Sequence, residues 1–139
     1  MKSLSVARTV PRRIPEIGIL MKSEEFIEAV KDVVKNAAIE DVISNLESPP
    51  GRKVSKTESE RSEWYNRLKE DEKGNVNAVI ESAVNEAIFG LLAVLDGVRP
   101  ICPAHNSNKG ELVLIYRDQQ GDSVLNAPDK IGLHDLYNS

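Results

Sequence analysis

Cys102 and His105 stand three residues apart, a C-x-x-H pair with the spacing of half a zinc site. Thiolate and imidazole are ligands that zinc selects, but a closed structural site needs four, and no second pair of this kind follows. His134 and Asp135 would have to complete it from a distance. The same thiol admits a second chemistry: Cys102 with His134 would make a nucleophile and its base, because such partners meet only in the fold. No glycine-rich oxyanion motif and no third orienting residue accompanies them. Glu81 and Glu86 are five apart, so they lie on different faces of a helix and do not share a proton. Asp96, just before Gly97, is expected to cap the turn that follows it. A small metal-binding protein or enzyme using Cys102, His105 and His134 is therefore the alternative, and a binding role without cofactor or metal is the leading expectation.

The element around which these residues must be placed is Val76 to Gly97. Its apolar residues fall at 76, 79, 80, 83, 84, 87, 88, 91, 92 and 95, one broad helical stripe facing a core. Asn75 is the expected N-cap and Gly97 the expected C′ residue. Phe89, Ala93 and Val94 spread apolar character around the second half, which should then be covered on all sides. Upstream, Ser23 is expected to cap a first helix with Phe26, Ile27, Val30, Val33, Val34, Ala37 and Ala38 on one face. Ile39, Val42, Ile43 and Leu46 continue that face, slightly rotated. Ser48-Pro49-Pro50-Gly51 ends it. Arg52, Lys53 and Lys56 form a basic linker, with a small anion patch as the other reading. A second helix should open on a Thr57–Glu60 capping box and run to about Glu72, with Lys73-Gly74 as the break before the central helix.

Past Gly97 the period changes. Val98 to Ile101 reads as a short edge strand and Cys102 to Gly110 as a loop. Glu111 to Arg117 reads as a strand apolar on both faces, hence central or doubly covered. Asp118 to Asp122 is its turn, with Gly121 free to take positive φ, and Ser123 to Asn126 is its partner. Leu133 to Tyr137 closes the chain as a short helix. The fold class is α+β: three main helices with a small antiparallel sheet of two or three strands and a short C-terminal helix.

At 139 residues one domain is expected, spanning 21–139. Residues 1–20 carry Lys2, Arg8, Arg12 and Arg13 against Glu16, together with Pro11 and Pro15, and read as a disordered or mis-started extension. An organelle-targeting peptide is the other reading of that segment. The formal net charge is −4, so residues 21–139 are more acidic than the whole. Such a body argues against nucleic acid as a partner and suits a basic protein. No uninterrupted apolar run reaches the length of a membrane span, so no membrane contact is expected. The single cysteine fits a reducing cytoplasm.

IFGLLAVLDGVRPI, then KGELVLIY, then VLNAPDKIGLHDLY form a pattern of helix, LDG turn, hairpin and LHDLY tail. Over roughly residues 60–139 this resembles a class of small bacterial proteins of unknown function. Some of these resemble immunity proteins encoded beside polymorphic or contact-dependent toxins. The resemblance transfers no catalytic residue. It implies a cytoplasmic acidic protein that binds a basic toxin domain and blocks its active site. The residues nominated for such contact are Glu60, Glu63 and Trp64, with Asp118 and Asp122 of the hairpin turn. Trp64 is the only tryptophan; its expected place is the core, and its other reading is an exposed interface anchor. A homodimer joined through the doubly apolar strand or the first helix is the remaining expectation.

Overall fold

The computed structural model describes residues 20–102 and 110–139. The expected extension, except for Leu20, lies outside them, as does His105. The first helical rod comprises α1 (Ser23–Ala29), a π-helical segment (Val30–Asn36) and α2 (Ala37–Glu47). The wider π turns explain why the apolar face is rotated between Phe26 and Ile43. Val33 and Val34 accordingly leave the expected inner face and are exposed. A short loop leads to α3 (Lys56–Asn66), and α4 (Glu70–Leu95) follows almost at once. Two strands, β1 (Ile115–Asp118) and β2 (Gly121–Val124), form an antiparallel hairpin, and α5 (Leu133–Asn138) ends the chain. The fold is α+β, as the periodicities indicate.

Local chemistry moves several boundaries. Ser23 is not the cap of α1: Lys22 occupies that place, and the Ser23 hydroxyl donates to the Leu125 carbonyl, 2.6 Å away. The serine ties the rod to the hairpin instead. The capping box of α3 is Ser55 with Glu58, not Thr57 with Glu60. Hydrogen bonds from the Ser55 side chain and backbone hold the Glu58 carboxyl below its ordinary pKa. Helix α4 starts six residues before Val76, because the Glu72 carboxylate accepts the Lys69 N–H at 2.8 Å. Lys73-Gly74 is therefore inside the helix and makes no break. At the other end Gly97 takes φ +75°. The Val98 N–H bonds the Ala93 carbonyl and the Gly97 N–H that of Val94, a Schellman closure.

One cluster holds the molecule together: Ile27, Leu92, Leu125, Leu133 and Tyr137, with Phe26, Ile88 and Phe89 packed on it. It lies where α1, the C-terminal half of α4, the hairpin and α5 meet. The second half of α4 is not covered all round, however. Leu92 and Ala93 are buried, while Leu91 is 61 % exposed, and in the first half Val79 is 68 % exposed. By length and composition α4 is also apolar enough to cross a membrane, and only 17 % of its most apolar stretch is buried. The sheet departs further from expectation. Among the described residues Val98 to Ile101 form no strand, and of the expected Glu111–Arg117 strand only Ile115 onward is β1. Leu112 and Tyr116 on one side and Val113 and Ile115 on the other are exposed, so the stretch is neither central nor doubly covered.

Candidate functional site

Two places bring together residues with chemical potential. The first joins the LDG turn to the LHDLY tail. The Asp96 carboxylate accepts the His134 backbone N–H at 2.9 Å and lies 2.5 Å from its Nδ1. A carboxylate so placed requires the proton on Nδ1. Asp96 thus caps the first turn of α5 across space rather than the turn that follows it in sequence. The pair is largely enclosed, with 6 % of the Asp96 side chain and 14 % of the His134 side chain exposed. Phe89 meets the imidazole edge to face, ring centres 5.7 Å apart. Gly132 leaves room for this: a Cβ there would stand 2.9 Å from the imidazole and 3.0 Å from the carboxylate.

A carboxylate orienting an imidazole is two-thirds of a nucleophilic triad. The outer nitrogen Nε2, however, faces the Asp135 carboxylate at 3.4 Å. Cys102 is free and exposed. No group of three His, Cys, Asp or Glu side chains that could hold a metal ion occurs among the described residues. The geometry of the Asp96–His134 pair is that of a structural clasp between the end of α4 and the start of α5.

The second place is α3. Tyr65, not Trp64, is the anchor of this helix: it is 1 % exposed, whereas Trp64 is 46 % exposed. Neighbouring positions on a helix point about 100° apart, so only one of the two can face inward. The tyrosine takes that place because its hydroxyl reaches the Asn77 side-chain carbonyl at 2.9 Å, and the Lys73 ammonium stands 5.6 Å from its ring centre. Trp64 is left on the outer side with Glu60 one turn before it and Glu63 next to it; Lys56 lies 3.6 Å from Glu60. On another side of α3, toward the loop before it, Pro49, Val54, Ser59, Ser62, Glu63, Asn66 and Arg67 line an open cleft of about 520 Å³ that does not include Trp64. Ser62 and Asn66 both donate to the Glu47 carbonyl, which fixes α3 to the end of α2.

Asp118 and Asp122 are elsewhere. The hairpin is tied to the start of the rod through Ser23–Leu125 and through the Ser123 hydroxyl on the Met21 carbonyl, 2.7 Å. Helix α3 is tied to the far end of the same rod, about 35 Å away at 1.5 Å per residue. The two acidic groups therefore form two separate patches. Asp122 makes a two-pronged pair with Arg117 at 2.6 and 2.8 Å, which holds its carboxyl below the usual range. Asp118 accepts the Gln120 N–H within the turn.

Comparison with protein families, curated proteins and solved structures returns no match.

One residue that spacing does not single out is Asn126. Its amide nitrogen donates to the Leu95 and Leu112 carbonyls, at 2.7 and 2.8 Å, and its oxygen accepts the Leu114 N–H at 2.8 Å. The end of α4, the approach to β1 and the exit from β2 all converge on it. The only local hint is an asparagine directly after the apolar pair Val124-Leu125.

Proposed function

We propose that this chain is a non-enzymatic protein-binding module that uses the outer face of α3. The observation that carries the reading is the half-exposed Trp64 on a helix anchored independently by Tyr65. A large aromatic group left in water on a firmly anchored helix is the arrangement from which interface anchors are drawn. Glu60 and Glu63 beside it favour a basic partner, since complementary charge speeds encounter and fixes orientation. In its specific form the proposal is an acidic cytoplasmic protein of the immunity type, which occludes a basic toxin domain encoded beside it. Asp118 and Asp122 would belong to a second contact at the far end of the rod.

The test is calorimetric titration of the purified chain with the toxin domain of the adjacent gene. Trp64→Ala should weaken binding about 30-fold, the loss typical of an interface anchor. Its midpoint of thermal unfolding should stay within about 2 °C of the parent, because no core contact is lost. Unchanged affinity would remove α3 from the interface, and no heat at micromolar concentration with either protein would end the immunity reading.

A further inference from the structure

We propose that residues 111–117 pair with the same segment of a second copy, joining two hairpins into one four-stranded antiparallel sheet. The Leu125 N–H donates to the Leu114 carbonyl at 2.9 Å, and the strand register is Ile115 with Val124 and Tyr116 with Ser123. Hydrogen-bonded pairs alternate along an antiparallel ladder. Within β1, Tyr116 and Asp118 therefore turn their backbone groups toward β2, as the Leu114 carbonyl does just before it, while Ile115 and Arg117 turn theirs outward. Pairing with a second copy would extend β1 back to Glu111 and carry the same alternation to Val113 and Glu111. The other edge of the hairpin is guarded: the Lys130 ammonium donates to the outward carbonyl of Val124 at 3.3 Å. A lysine at a sheet edge blocks further pairing. The β1 edge has no such guard among the described residues. Leu112, Val113, Ile115 and Tyr116 beside it are 43, 50, 46 and 38 % exposed.

The occupant follows from the sequence of that edge. ELVLIYR, residues 111–117, is self-complementary when turned about a two-fold axis through Leu114. Glu111 then lies opposite Arg117 of the second copy, Leu112 opposite Tyr116, and Val113 opposite Ile115. Opposite charges and apolar pairs meet at every position, the combinations that stabilise cross-strand neighbours. The register also puts the outward groups of residues 111, 113, 115 and 117 against one another, so each hydrogen bond has its donor and acceptor. Arg117 has N–H groups to spare beyond the two that hold Asp122. The second copy supplies the strands that a lone hairpin lacks.

Sedimentation velocity of the full chain from micromolar to millimolar concentration should show a monomer–dimer equilibrium. Ile115→Pro removes an outward N–H and leaves the β1–β2 ladder intact; it should weaken the dimer about tenfold or more. Glu111→Lys, an exposed change that leaves folding alone, should weaken it too by setting like charge against Arg117. Leu91→Lys on the bare side of α4 should leave it unchanged. A monomer at every concentration would overturn the proposal. So would a dimer that survives Glu111→Lys, or one abolished by Leu91→Lys.

Discussion

At the scale of single residues, this molecule is closed by polar groups that reach across the chain. Asn126 serves three backbone groups from three segments. Asn126→Ala should cost about 1–3 kcal/mol, because it strands those groups without partners. Asn126→Asp should be no better, since a carboxylate keeps the one acceptor but loses both donations and faces two carbonyl oxygens. Urea denaturation of the three proteins checks this. Tyr137 offers a pH-dependent case. Its hydroxyl donates to Asn85 at 2.7 Å, and burial of the ring raises its pKa above the ordinary value near 10. The unfolded chain therefore loses this proton first as pH rises. The contribution is intact below the unfolded pKa and is lost as pH climbs through the raised, folded one. Tyr137→Phe should flatten that alkaline decline in thermal stability; an identical decline in both proteins would assign it to other groups. How little of this was legible in advance is a matter of reach. Asp96 and His134 were both visible as polar residues, but their pairing depends on where α5 docks, and nothing local encodes that.

At the scale of elements, α4 separates what periodicity specifies from what it leaves open. Spacing places Val76, Val79, Ile80, Val84, Ile88 and Leu91 on helical turns, and they are there. Spacing does not choose which part of a broad apolar band meets neighbours. Ile88 packs on the core cluster, while Leu91 lies in the open. Ile88→Asp should therefore destabilise by about 3 kcal/mol or more, whereas Leu91→Asp should stay within about 0.5 kcal/mol. Chemical denaturation of the pair decides it, and equal losses would mean that the far side of α4 is covered in solution. Helix α3 makes the same point. Trp64 and Tyr65 are equally apolar candidates, and a hydrogen bond to Asn77 from a different helix selects the tyrosine.

At the scale of the whole molecule, cohesion is uneven along the rod. The cluster around Ile27, Leu92, Leu125, Leu133 and Tyr137 sits at one end, whereas α3 buries only Tyr65 and Ser62 at the other. Backbone amides of α3 should therefore exchange with deuterium well before those of Leu92 to Leu95, through an opening that leaves the cluster intact. Exchange of both at one common rate would mean a single cooperative unit. What the amino-acid order determined by itself was the set of helices, the proline-marked end of the first rod, the glycine closure at Gly97 and the hairpin turn at Gly121. Each of these depends on contacts within a few residues, so spacing and backbone preference suffice. Only the tertiary structure decided that Ser23 would be a tether instead of a cap, that Trp64 would face water, and that Asp96 would meet His134. Those outcomes rest on groups 12 to 102 residues apart in the chain, brought together by packing that no local pattern can specify.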